Sequence, residues 1–475
     1  MNILQKQLKL MKNRSFYLLF ILVIFALVNG CKEPEKTHFT GQAGEVKLIT
    51  LAPGHFHAYL VQKDMYDQVD STVHVYAPPG SEVEQHVSMI ENYNNRDYNP
   101  TFWDLVVYTG EDYLERMLEE KNGNVVVLAG KNHNKSNYIK SSVEKGLNVL
   151  SDKPMAIDLK DFDLLKKSFE SAERNNVLLY DIMTLRYEIT SLLQKEIMSL
   201  PLLFGTLEKG RPGNPSFITE SKHYFFKYVS GNILRRPPWF FDPGQRGEGL
   251  VDVATHYVDF IQWSCFPDKI IDYTTDIDMI SASRWSTPLT KRQFESITGE
   301  AGFPDYLNEY IDNDTLLQVY ANGEMNYSLN DVHARVTVKW GFTAPKGAGD
   351  TFYSLTRGSN ANLIIRQGEE ENYKRVLYIQ PSSSPSINNF EETLLREFKK
   401  VQEKYPGVEL KELDGLWKVF VPEDYYIGHE AHFGKVTDKY LHFLIEGKLP
   451  DWEVPNMIAK YYTTTMALEL AMETK

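Results

Sequence analysis

Past residue 45 the chain alternates short apolar runs with amphipathic stretches. Runs at 46–51, 73–76, 105–108, 124–129 and 148–150 are separated by segments whose apolar positions lie three and four apart. Short continuous apolar runs suit strands buried on both faces, and their alternation with helical spacing predicts a parallel sheet flanked by helices. The first strand ends in Ala52-Pro53-Gly54, with a helix expected over about 55–66. Beyond residue 200 the texture changes. Segments 335–340 and 362–366 alternate as half-buried antiparallel strands do, 345–350 forms a turn between them, and helical spacing returns over 436–444 and 455–472. The expected class is α/β: a Rossmann-like doubly wound parallel sheet over 45–185, then an α+β domain over 186–475. Its open, largely antiparallel sheet should cover the carboxyl edge of the first.

The amino-terminal thirty residues follow another pattern. Lys6, Lys9, Lys12 and Arg14 precede an unbroken apolar run over 16–28, too short to span a bilayer comfortably and well suited to a signal segment. It ends in Leu27-Val28-Asn29-Gly30-Cys31, similar to a bacterial lipobox, so Cys31 is expected to carry the lipid. An exported chain anchored in the cell envelope by lipid alone follows, with 31–44 as a polar tether. Cys265 is then the only other thiol, which leaves no intrachain disulfide and a fold that depends on its core. Removing the signal takes away four cations and moves the formal charge from -13 to -17. Such a surface repels phosphate backbones and excludes nucleic acid as a partner.

Candidate chemistry lies at the strand ends. A turn between strand and helix can present backbone amides to a pyrophosphate, and Gly54 would let phosphate approach closely. The glycine fingerprint would fall on Ala52, Gly54 and His57, so its central position survives. Where an acid usually holds the adenosine ribose stand Ala77-Pro78-Pro79. Further on come Val127-Leu128-Ala129-Gly130-Lys131-Asn132-His133, then Ser151-Asp152-Lys153-Pro154, then Gly247-Glu248-Gly249-Leu250-Val251-Asp252 with His256 and Asp259. In this order and spacing they resemble the signatures of the oxidoreductase superfamily of glucose-fructose oxidoreductase, inositol dehydrogenase and rhizopine-catabolism dehydrogenase (Gfo/Idh/MocA). Gly130-Lys131 stands where that family has Thr-Pro, and Asp152 where it has Glu.

The resemblance implies NAD or NADP, tightly held, at Gly54, His55, Phe56, Ala129, Asn132 and His133, and a catalytic trio of Lys153, Asp252 and His256. An imidazole titrates near working pH and suits removal of a carbinol proton. His256 is therefore the expected base, Asp252 its orienter from four residues away, and Lys153 the group that polarises the oxygen. The segment 224–242, rich in rings, Arg and Asp, resembles a branch of exported oxidoreductases with a distinctive carboxyl-terminal domain. Rings beside polar groups suit a sugar, with Arg186 and Trp239 as expected walls. No metal site is expected: His429-Glu430-Ala431-His432 lacks the i, i+4 spacing of a zincin, and His55 and His57 should diverge on a helix. Three functions fit the residues: a sugar or cyclitol oxidoreductase, a glycoside-cleaving enzyme that oxidises transiently, and a sugar-binding protein that has lost its dinucleotide. A homo-oligomer is compatible with each.

Acylation of Cys31 is directly testable. Protein extracted from membranes should exceed the mass from Cys31 onward by at least a diacylglyceryl group, and Cys31→Ala should leave the membrane fraction; a wild-type chain with a free Cys31 thiol in the soluble fraction would refute it.

Overall fold

The computed structural model describes residues 39–229, 232–313 and 315–473. Cys31 and the apolar leader lie outside the described residues. Six strands form the first sheet: β1 (Leu48–Leu51), β2 (Thr72–Ala77), β3 (Asp104–Thr109), β4 (Val125–Leu128), β5 (Asn148–Asp152) and β6 (Leu179–Ile182). Their order is β3-β2-β1-β4-β5-β6 and every pairing is parallel. The order reverses between β1 and β4, which opens a crevice at their carboxyl ends. β4 and β5 are buried throughout, as continuous Val and Leu runs require, whereas β3 forms an exposed edge.

The helix expected over 55–66 is a single turn, α1 (His57–Leu60). Downstream carbonyls are captured by other parts of the chain: the Trp103 indole donates to Gln62 O and the Arg96 guanidinium to Lys63 O, 2.7 and 2.6 Å away. The later helices are α2 (Ser81–Asn94), α3 (Tyr113–Glu120), α4 (Lys135–Glu144) and α5 (Leu159–Arg174). The folded body begins ahead of residue 45. Phe39 is buried in the first core, and one Glu45 carboxylate oxygen accepts from the amides of Thr40, Gly41 and Gln42.

After α6 (Ile189–Met198) the second sheet begins with β7 (Phe217–Phe226). It continues with β8 (Ile277–Thr290), β9 (Leu316–Leu329), β10 (Val332–Thr343), β11 (Thr351–Arg357), β12 (Ala361–Gln367), β13 (Val376–Pro381), β14 (Glu409–Leu413) and β15 (Leu416–Phe420). Their order is β8-β9-β10-β7-β11-β12-β13-β15-β14, antiparallel except where β10 and β7 run parallel. α7 (Ala254–Cys265) is buried beneath this sheet, and α8 (Phe390–Lys404) adds Leu394, Phe398 and Val401 to the same core.

The last two helices cross the division expected at residue 185. α9 (Gly428–Glu446) and the start of α10 (Glu453–Glu473) place Phe433, Tyr440, Leu444, Met457 and Tyr461 in the first core, while Ala467 and Leu468 of α10 pack in the second. α10 thus serves both.

On α2 the stripe Val83, His86, Ile90 and Tyr93 faces inward, so an imidazole occupies an apolar position with neither ring nitrogen bonded. Burial pulls His86 down from 6.5 to about 4. The unfolded chain takes a proton below 6.5 that the folded chain refuses, so stability is full above that pH and falls as pH drops towards 4. The loss should be about 2.5 kcal/mol at about pH 4.5. Urea unfolding at both ends of this range should show His86→Leu losing less stability than wild type by about that amount; equal losses would exclude His86 as the cause.

Candidate active site

A cavity of about 650 Å³ opens where the carboxyl ends of the first sheet meet the second domain. Lys153 follows β5 directly and reaches Asp252 in the turn before α7, with Nζ 2.5 Å from Oδ1 and 3.2 Å from the backbone carbonyl. The other Asp252 oxygen accepts from Arg246 Nε and Nη2 at 2.9 and 2.5 Å. Burial alone would raise this carboxyl, but Lys153 and Arg246 outweigh it and hold it well below the carboxylate range. One side of the cavity therefore carries an aligned ammonium and guanidinium on one shared carboxylate.

Beneath them lies Lys135, fully buried on α4. Its Nζ donates to Asn132 Oδ1 at 2.6 Å and to the Asp152 carbonyl at 2.9 Å, and Asn132 Nδ2 donates to Arg246 O at 2.6 Å. Burial draws Lys135 down to about 8. This ammonium ties the end of β4, the end of β5 and the approach to α7 into one unit. His256, on the first turn of α7, also lines the cavity. Burial, then the charges of Lys153 and His429, hold its imidazole well below 6.5, so it is a neutral base at pH 7. On the amino-terminal side His57 Nδ1 lies 2.9 Å and His55 Nδ1 3.7 Å from Asp152 Oδ2.

The opposite wall is aromatic and polar. Asp350 Oδ2 contacts His223 Nδ1 at 3.2 Å and Lys227 Nζ at 2.8 Å, next to Trp239 and Trp340. Arg236 donates to the carbonyls of Phe225 and Tyr224 and lies over the Phe240 and Trp340 rings at 4.5 and 5.2 Å. Burial and the neighbouring Arg246 pull it down to about 9. Among the described residues, five buried polar atoms of cavity residues have no hydrogen-bond partner: Nε1 of Trp239 and of Trp340, Nδ1 of His256, Oδ1 of Asp350 and Nη1 of Arg375. Buried polar atoms are ordinarily paired, so the cavity offers unsatisfied donors and an acceptor to a polyhydroxylated ligand.

Comparison with known proteins fits this arrangement. Residues 193–472 match the family described as "Putative oxidoreductase C terminal domain", and 53–180 match "Oxidoreductase family, NAD-binding Rossmann fold". The chain belongs to the Gfo/Idh/MocA-type oxidoreductases. A crystal structure of a "putative oxidoreductase" from Parabacteroides merdae is 51% identical to this oxidoreductase, with TM-score 0.91, over 92% of this chain and 100% of that one. WlbA dehydrogenase from Bordetella pertussis, solved with NADH and UDP-GlcNAcA, shares the fold at 13% identity and TM-score 0.54, over 92% and 98% of the two chains. Levoglucosan dehydrogenase with NADH and levoglucosan does so at 13% identity and TM-score 0.55, over 90% and 98%. No curated protein matches the sequence.

The first turn of the oxidoreductase bears on whether a dinucleotide fits. Ala52 adopts φ 46°, the left-handed region that a glycine there would favour. At Gly130 a Cβ would come within 2.4 Å of Ala52 O, so two bare backbones close the crevice between β1 and β4. The amides of Gly54 and His55 both donate to Ala129 O, at 3.1 and 3.2 Å, so neither is offered to a phosphate. The β2 end offers no acid for the ribose, and Lys131 pairs with Glu82 nearby at 3.2 Å. The residues therefore fit a nicotinamide best at the cavity end, beside Lys153, with a lean hold on the phosphates.

Several expected site residues sit elsewhere. Arg186 is not a sugar wall: it is buried in a fork on Asp259, at 2.8 and 2.7 Å, with a third bond to Glu453 at 2.7 Å. Asp252 does not orient His256, because it precedes the helix and both its oxygens are taken by Lys153 and Arg246. His133 stays exposed outside the cavity, its amide turned to Gln245 O, and Ala129 contributes its carbonyl from behind. His55 and His57 do not diverge, because α1 begins only at His57 and both rings turn onto Asp152. Trp239, Gly130, Asn132 and Phe56 line the cavity. Arg246 was missed although it directly precedes the signature that holds Asp252; Lys135 carried no signal, since a buried ammonium looks like any helix lysine.

Removal of the base should separate chemistry from binding. His256→Ala should lower kcat by about 10² to 10⁴-fold and leave dinucleotide affinity nearly unchanged, while Lys153→Ala should impair both. Unchanged turnover in either variant would dissociate the site from catalysis.

Proposed function

We propose that this oxidoreductase takes hydride from a carbinol of a sugar, cyclitol or glycoside, working with NAD or NADP and anchored outside the cytoplasm by a lipid on Cys31. The carrying observation is the convergence on one cavity of the Lys153–Asp252 pair, a neutral His256 and the unpartnered indole donors of Trp239 and Trp340. A bound nicotinamide supplies the hydride acceptor. The remaining steps belong to the chain. His256 accepts the hydroxyl proton, the Lys153 ammonium stabilises charge gathering on the oxygen, and Arg246 keeps Asp252 ionised so that Lys153 stays aimed. Trp239 and Trp340 cover the apolar face of the ring, and the Asp350–His223–Lys227 group meets its hydroxyls. Sugar-linked dehydrogenases with the same fold support a carbohydrate substrate.

The lean phosphate turn bears on retention. A cofactor kept through purification needs a Kd around nanomolar, roughly -12 kcal/mol. Such tightness must come from the cavity end, because two amides of the first turn are committed to Ala129. Denatured native protein should release nicotinamide dinucleotide, and calorimetric titration of cofactor-free protein should show NAD or NADP binding that Lys153→Ala weakens. Reduction of the bound cofactor by a panel of glycosides would then identify the substrate. Release of free sugar without net reduction would instead mark the glycoside-cleaving variant, and no binding at millimolar cofactor would overturn the nicotinamide reading.

A further inference from the structure

His57, which stands at the last glycine position of the fingerprint, and the nearby His55 belong to a cluster that hydride transfer does not use. One ligand atom from each of His55, His57 and Asp152 lies within 4.8 Å of the others, all three residues line the cavity, and His57 and Asp152 are buried. The contacts of 2.9 and 3.7 Å to the shared carboxylate oxygen bracket the spacing of about 3.3 Å between ligand atoms on a tetrahedral ion with bonds near 2.05 Å. A third imidazole, His429 on α9, lies with its ring centre 5.3 Å from that of His57 and also lines the cavity.

We propose that His55, His57 and Asp152 bind a divalent first-row transition-metal ion of the zinc or manganese class, with an open position facing the cavity. Two imidazoles and one carboxylate are a donor set that such ions share, and a catalytic site keeps a position free for an oxygen ligand. The neighbouring backbone is prepared for the load. Lys135 holds the Asp152 carbonyl at 2.9 Å and so fixes the residue that supplies the carboxylate. Charge defines what the open position accepts. Lys135, Lys153 and Arg246 already outnumber Asp152 and Asp252, so an added dication favours an oxygen with negative charge over neutral water. A carbinol or carbonyl oxygen of the substrate gaining charge beside Lys153 meets that requirement. The same residues explain the degenerate fingerprint: a side chain at position 57 would crowd a dinucleotide turn, but here it is the ligand.

The test reads metal, not turnover, and is independent of the nicotinamide proposal. Full-length protein stripped with chelator and dialysed against Zn²⁺, Mn²⁺ or Co²⁺ should retain about one ion per chain, and the Co²⁺ form should show the visible bands of a low-coordinate nitrogen and oxygen site. His55→Gln, His57→Ala and Asp152→Asn should each weaken binding by at least about 100-fold, with thermal melting to confirm that each variant is folded. His442→Gln, which removes an exposed imidazole paired with Glu446, should leave stoichiometry and affinity unchanged. Substoichiometric metal in the wild-type chain, or binding that survives in folded His55→Gln and Asp152→Asn alike, would overturn the site and leave a hydrogen-bonded His–Asp pair.

Discussion

Everything around the cavity hangs on five buried charges between the two domains. Lys460, wholly inaccessible on α10, lies 2.7 Å from Asp181 at the end of β6 and 2.8 Å from Asp259 on α7. Arg186 grips Asp259 in a fork and reaches Glu453, and the Tyr461 hydroxyl donates to Asp181 at 2.8 Å. Three carboxyls against two cations leave a surplus negative group, and burial pushes Glu453 upward accordingly. Such clusters give little net stability when complete, yet loss of one member strands a charge and costs about 3 to 5 kcal/mol. Geometry is what they contribute. Asp259 is one turn from His256, and β6 pairs with the strand that ends at Lys153, so the cluster sets the distance between base and ammonium.

The first sheet was largely legible because its patterning is local; of the nine strands traced in the second sheet only β10 and β12 were anticipated. Five of six first-sheet strands announce themselves as Val and Leu runs, and β10 and β12 alternate as their half-buried faces demand. β6 was not separated from its surroundings: Leu179-Tyr180-Asp181-Ile182 breaks the apolar run with the acid that Lys460 neutralises 279 positions later. The trio Lys153, Asp252 and His256 was legible from order and spacing, but its internal wiring was not. Whether an acid four residues from a histidine contacts it depends on where the helix begins, and α7 begins after Asp252. Arg186 failed as a sugar wall for a similar reason, since its partners Asp259 and Glu453 are distant in sequence.

The glycine-rich motifs divide by purpose once their surroundings are visible. Gly249 packs against β9, where a Cβ would strike Ala321 O at 2.0 Å, and the adjacent Glu248 takes a bidentate hold from Arg284 at 2.7 Å. That signature fastens the turn bearing Asp252 to the second sheet. The first turn has gone the other way, keeping the left-handed backbone at Ala52 while its side chains turn inward to Asp152.

Because α9 and α10 complete the first core, synthesis leaves that core unfinished for most of its duration. The ribosome delivers β1 to β6 early, but the surface meant for Phe433, Tyr440 and Tyr461 stays bare until the last fifty or so residues emerge. The Tyr180 and Tyr440 rings, stacked nearly parallel at 6.1 Å, join strand and helix across 260 positions. The amino-terminal half therefore cannot close into a finished core before the tail arrives, and a chain cut short ahead of α9 leaves that surface bare.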